Sequence, residues 1–173
     1  MPSRQMMHEQ RPPGGAARGA AWTAAVLGLG SAAVSAYWAL GGTALLDSVG
    51  GEIEAWGRQR STGVVAALWA IAGLKAVVSI APLVLVRVQA RRLPEWTRSR
   101  SARVLGWIVA VALTSYGGIL TGAGLLVEAG VIDAADGADE HALAWHAYFW
   151  DPWFLLWGAA FGLAMWFTRR PRR

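Results

Sequence analysis

A single lysine accompanies fifteen arginines, and it occupies the middle of an apolar run. Lys75 lies eleven residues from both Val64 and Val86, a stretch with no other formal charge. In the centre of a bilayer such a side chain costs about 2.5–3.5 kcal/mol on insertion scales. Something must offset that cost: a carboxylate, backbone carbonyls, a wet cavity or loss of the proton. An ammonium so placed can hold a polar or anionic ligand. A purely structural tie between helices is the alternative. A lysine can also form a Schiff base, but no neighbouring motif supports that chemistry.

Partners can be ranked by depth, at 1.5 Å per helical residue. Ser115 and Tyr116 are expected level with Lys75, and Tyr37 and Trp38 slightly nearer the outer side. Helical side chains lean toward their own N-terminus, so the ammonium should point outward, toward Tyr37 and Trp38. Asp151 falls about 12 Å above the Lys75 backbone by the same rise, which suits a water-mediated link better than a direct bridge. Trp157 lies deep enough for either packing or a ligand contact, as do Trp38 and Trp69.

Asp151-Pro152 has a local reading as well. Aspartate is a preferred N-cap, and proline fits the first helical position because its missing N–H has no partner there. The fourth helix is then expected to begin at Pro152. His141, His146 and the acids around them are metal-ligand types. Five-residue spacing, however, does not place two imidazoles on one α-helical face, so no metal is expected. No nucleotide-binding, hydrolase or zinc-protease fingerprint occurs, and no cofactor is expected. The chain lacks cysteine, which excludes disulfides, thiolate zinc sites and iron–sulfur clusters.

The elements that position these residues are apolar and long. The sequence is 55% hydrophobic and only 16% charged, unlike a soluble domain. Four stretches, 20–46, 64–86, 104–127 and 148–167, each reach the roughly 20 residues needed to cross hydrocarbon. The expected fold is an all-α, integral membrane four-helix bundle of up-down topology, spanning 20–168. A disordered tail of residues 1–19 precedes it and a basic tail of 169–173 follows. Val34-Ser35-Ala36 resembles a signal-peptidase site, but the apolar run continues past it, as in an uncleaved anchor.

Charges sort by connection. Thirteen of the sixteen basic residues lie in the N-terminal tail, between the second and third spans, or at the C-terminus. Nine of the eleven acidic residues lie in the other two connections. By the positive-inside rule both termini are cytoplasmic. The net charge of +5 is then topological, and no nucleic-acid partner is expected.

Lipid supplies no hydrophobic drive between helices, so small residues must allow close approach. Four-residue rows occur at Gly106, Ala110, Thr114, Gly118 and Gly122, at Ala24, Gly28, Ala32 and Ala36, and at Gly158 and Gly162. They serve packing within the chain or, alternatively, a homodimer. Trp22, Trp56, Trp96, Trp145, Trp150 and Trp153 are expected to form aromatic belts at the interfaces.

Three segments together carry a family resemblance: residues 35–42 (SAYWALGG), Leu68-Trp69-Ala70 with Gly73-Leu74-Lys75, and residues 146–157 (HAYFWDPWFLLW). They resemble a bacterial membrane family, domain of unknown function 3995, over about residues 22–167. The resemblance implies a four-span inner-membrane protein and no particular activity. The expected role is non-enzymatic binding of a small molecule, lipid or membrane partner in an outward-facing pocket. Its lining would be Lys75, Tyr37, Trp38, Ser115, Tyr116, His146, Asp151 and Trp157. A membrane enzyme acting on a lipid or quinone, and a dimeric small transporter, are the alternatives.

Overall fold

A computed structural model describes residues 14–87 and 100–168. Among them the chain is helical, with no strand. The elements are α1 (Gly15–Leu40), α2 (Gly51–Gln59), α3 (Thr62–Arg87), α4 (Arg100–Glu128), α5 (Glu140–Trp145), a π turn (His146–Trp150) and α6 (Asp151–Phe167). By length and composition α1, α3 and α4 can each cross a membrane, whereas α6 alone has 17 residues. The helical backbone nevertheless continues from α5 through the π turn into α6, because His146 and Asp151 are both right-handed helical.

The first apolar run breaks earlier than expected. α1 ends at Leu40, not at residue 46, because Gly41 takes a left-handed conformation at φ 107° and its N–H bonds to Trp38 O. The Gly42 N–H then reaches back to Tyr37 O at 2.9 Å, which satisfies a second end carbonyl. Leu46 thus belongs to a loop, where it is buried against Trp38 and Trp150. At its other end α1 starts at Gly15, inside the stretch expected to be tail, while residues 1–13 lie outside the described set. The connection between α1 and α3 also contains α2, which the charge pattern alone did not reveal. Glu52 and Glu54 occupy its first turn and Arg58 its last, favourable signs for the helix dipole.

α6 forms the centre. Its Trp157, Phe161 and Met165 are buried with Ala24 of α1 and Ala110 of α4. α1 packs on α3 and on α6, and α6 packs on α4. The small-residue rows explain this closeness, but their register differs from a four-residue repeat. In α1 the buried set includes Ala17, Ala21, Ala24, Gly28, Ser31 and Ser35, alternating steps of three and four. In α4 it is Gly106, Ala110 and Gly117, while Gly122 has nothing near its missing Cβ. Steps of four drift by about 40° each, so such a row walks off the interface, whereas a seven-residue repeat stays on it. At Gly117 an added Cβ would strike the Leu155 backbone N and come within 2.7 Å of Asp151 O. At Gly158 it would strike the Thr114 backbone.

α3 and α4 barely touch. Between them runs an apolar groove of about 460 Å³, walled by Val77, Ala81, Val84, Leu105 and Val109 and floored by Phe161.

Candidate functional site

Lys75 is presented by α3 toward α1. Gly28 faces Ser79 across this antiparallel pair, so Ser35 lies level with Ala72, about one turn toward the α3 N-terminus from Lys75. The lysine side chain climbs that turn, as helical side chains do. Its Nζ donates to Ser35 Oγ at 3.0 Å and sits 5.5 Å from the centroid of the Phe154 ring. The expected lean toward the α3 N-terminus is observed, but the hydroxyl it reaches belongs to Ser35 and not to Tyr37. Two residues apart on one helix, these side chains point about 200° apart. Tyr37 is 45% exposed and receives the Ala44 N–H on its hydroxyl at 3.4 Å.

Below the ammonium, Ser79 is fully buried and its hydroxyl donates to Lys75 O at 2.5 Å. The Trp157 indole lies beside it, against Gly28, where a Cβ would approach two ring carbons to 2.5 Å. Trp157 is 1% exposed, yet its Nε1–H has no acceptor among the described residues. Phe154 separates Lys75 from Tyr116, whose ring meets it edge-on at 5.4 Å. Ser115, expected level with Lys75, is exposed and does not join this cluster.

A second layer covers the end of the bundle where loop 41–50 meets the π turn. Asp151 is 3% exposed, and its Oδ1 lies 3.3 Å from His146 Nδ1. The other ring nitrogen, Nε2, lies 3.3 Å from the carbonyl of Val49. Trp150 donates to Ser48 Oγ at 3.0 Å, Ser48 donates to Leu45 O, and Trp38 donates to Ala44 O. Trp38 and Trp150 meet edge to face at 5.9 Å. These contacts pin loop 41–50 onto the π turn. Arg60 adds hydrogen bonds to Trp38 O and Ala39 O, the last carbonyls of α1.

Asp151 is therefore not the N-cap of the last helix. Asp139 has that role, accepting from His141 N and Ala142 N. Pro152 is tolerated inside a continuous helix because of the π turn, where the Asp151 N–H bonds to His146 O five residues back. Widening the ladder just before a proline removes the need for its missing donor and relieves the ring's clash. The same turn creates the His146–Asp151 pair. Five residues apart in an α-helix, two side chains diverge by about 140°, whereas i to i+5 is the π repeat. No ion pair joins Asp151 to Lys75 among the described residues; its charged-type partner is His146.

The tryptophans expected to form belts divide by exposure. Trp22 and Trp56 are half-exposed, but Trp150 is buried and Trp153 turns inward to donate to Leu27 O at 2.9 Å. Trp96 lies outside the described residues.

Chemically, the site offers at its base an ammonium with one hydroxyl acceptor and an indole N–H with none among the described residues, and above them a histidine between two acceptors. Neutral imidazole has one donor, while Val49 O and an ionised Asp151 can only accept. The contacts are both satisfied when the pair carries one shared proton, either as imidazolium with carboxylate or as imidazole with carboxylic acid. His141 takes no part, its Nε2 lying 4.0 Å from Asp47.

Among the described residues the protein is all-helical, with three helices long and apolar enough to cross a membrane and a lysine within one of them, and that defines its class. Residues 28–161 match the family described as "Protein of unknown function (DUF3995)", and the chain belongs to that family. No curated protein and no solved structure matches it.

Proposed function

We propose that this chain is a four-span protein of a bacterial cytoplasmic membrane, with both termini inside, that binds a small anionic ligand beside Lys75. The fourth span would be α6, extended outward by the π turn and α5. The arginine-rich and acid-rich connections support that orientation. The observation that carries the binding reading is the Lys75 ammonium. It is anchored by one hydroxyl and one aromatic face, with no carboxylate within ion-pairing distance among the described residues. An acceptor-bearing ligand would compensate that charge, and the unused Nε1–H of Trp157 lies in the next layer. Asp151, His146 and Trp38 would form the outer cover.

Native mass spectrometry of the gently extracted protein tests this reading, with wild type beside Lys75→Met and Asp151→Asn. A discrete adduct on wild type that vanishes in Lys75→Met is expected. Identical lipid adducts on all three would remove the pocket and leave Lys75 as a packing residue.

A membrane enzyme is the second reading, favoured by the His146–Asp151 pair, since a positioned imidazole can shuttle a proton. It requires a turnover on a lipid or quinone that is lost in His146→Gln.

A further inference from the structure

The groove between α3 and α4 begins at Val77, and neither Lys75 nor Ser35 lines it. Gly106 keeps it open, because a Cβ there would come within 3.0 Å of both Leu85 and Met165. Phe161, fully buried, makes a rigid floor. The rims are exposed: Val77 is 68% and Leu105 62% accessible. Every lining side chain is apolar, which suits a hydrocarbon chain and excludes a polar solute.

Charge identifies which hydrocarbon chain. The groove reaches Ala102, two residues from Arg100, an exposed cation in the first turn of α4. Arg103 follows within the same turn and holds Thr168 O at 3.3 Å, so its guanidinium is fixed at this end of the bundle. The sequence from 87 to 103 carries six arginines against one glutamate. The opposite end of the molecule is acidic. A zwitterionic lipid gains nothing from this polarity, whereas an anionic headgroup does.

We infer that the α3–α4 groove is a binding site for an anionic glycerophospholipid, with one acyl chain between Val77 and Leu105 and the phosphate at Arg100. The inference rests on the membrane-spanning reading but not on the Lys75 pocket.

The test uses full-length protein in detergent, titrated with phosphatidylglycerol or phosphatidylcholine of identical acyl chains and read by native mass spectrometry. Wild type should retain phosphatidylglycerol about fivefold more tightly, the factor that one cationic contact near a headgroup contributes. Arg100→Gln should erase that preference while still binding both lipids. Ala81→Phe should reduce both by filling the groove. Val77→Trp, on the exposed rim, repeats the block without burying a new ring. Lys75→Met should bind phosphatidylglycerol like wild type, which separates this site from the one beside Lys75. Equal retention of the two lipids by wild type, or unchanged retention in Val77→Trp, overturns the assignment.

Discussion

His146 and Asp151 stand five residues apart on one helix with Nδ1 and Oδ1 3.3 Å apart, and the opposite ring nitrogen holds the carbonyl of Val49. Both nitrogens thus meet acceptors, and a single shared proton satisfies them. In Asp151→Asn the amide can donate to Nδ1, leaving neutral imidazole with its proton on Nε2. Nitrogen-15 spectra of the His146 ring should show that tautomer in the variant; in wild type they should show the same tautomer if the proton rests on Asp151, or imidazolium if it rests on the ring. A neutral wild-type ring with its proton on Nδ1 would sink the shared-proton account. Asp151→Leu removes the partner altogether and should cost about 1–3 kcal/mol, the range for a broken charge-assisted bond.

Lys75→Met removes the mid-helix cation together with one hydrogen bond to Ser35. About 2.5–3.5 kcal/mol of insertion cost disappears, against about 1 kcal/mol for the lost bond. The variant should fold and melt at or above the wild-type temperature in detergent. A marked drop in melting temperature would make the ammonium a structural tie instead. Ser35→Ala should destabilise by only about 1 kcal/mol.

Gly117→Ala and Gly158→Ala each place a methyl against backbone of the facing helix, where neither side can yield. Overpacking of this kind costs about 1–3 kcal/mol, and thermal denaturation should show it. Gly122→Ala is the control. Nothing lies within 4 Å of its Cβ, so helix propensity should make it neutral or stabilising by up to about 1 kcal/mol. Destabilisation at Gly122 equal to that at Gly158 would point to a second copy of the chain packed on that face.

The absence of native cysteine makes orientation directly measurable. Asp136→Cys should react with an impermeant maleimide added to intact cells, and Arg4→Cys only after lysis. The reverse pattern would invert the topology.

Much of this architecture is legible from hydropathy and charge. α3 and α4 fall within a few residues of their expected limits, and Lys75 stands out because nothing else charged shares its run. What periodicity could not reveal follows from departures from the α repeat or from dual-purpose residues. Ser35 stands beside the row Ala24, Gly28, Ala32 and Ala36 without belonging to it, although its hydroxyl is what the ammonium finds. Phe154 carries no signal of its own in the sequence, although its ring lies between Lys75 and Tyr116. Asp151-Pro152 carries a strong helix-start signal that Asp139 in fact fulfils. His146 and Asp151 look unrelated at 3.6 residues per turn, and only the π turn aligns them.

That turn has a consequence for how the chain tolerates change. One additional residue in a helix rotates everything before it by about 100° about the axis. The outer segment Glu140–Trp145 is thereby phased independently of α6, as if joined by a swivel. Substitutions in the outer segment can reshape the surface the protein shows to its surroundings while Gly158 keeps its seat on Thr114. A single deletion at 147–149 would leave both halves helical yet turn them out of step, carrying His146 away from Val49 while Trp150 keeps its register with α6.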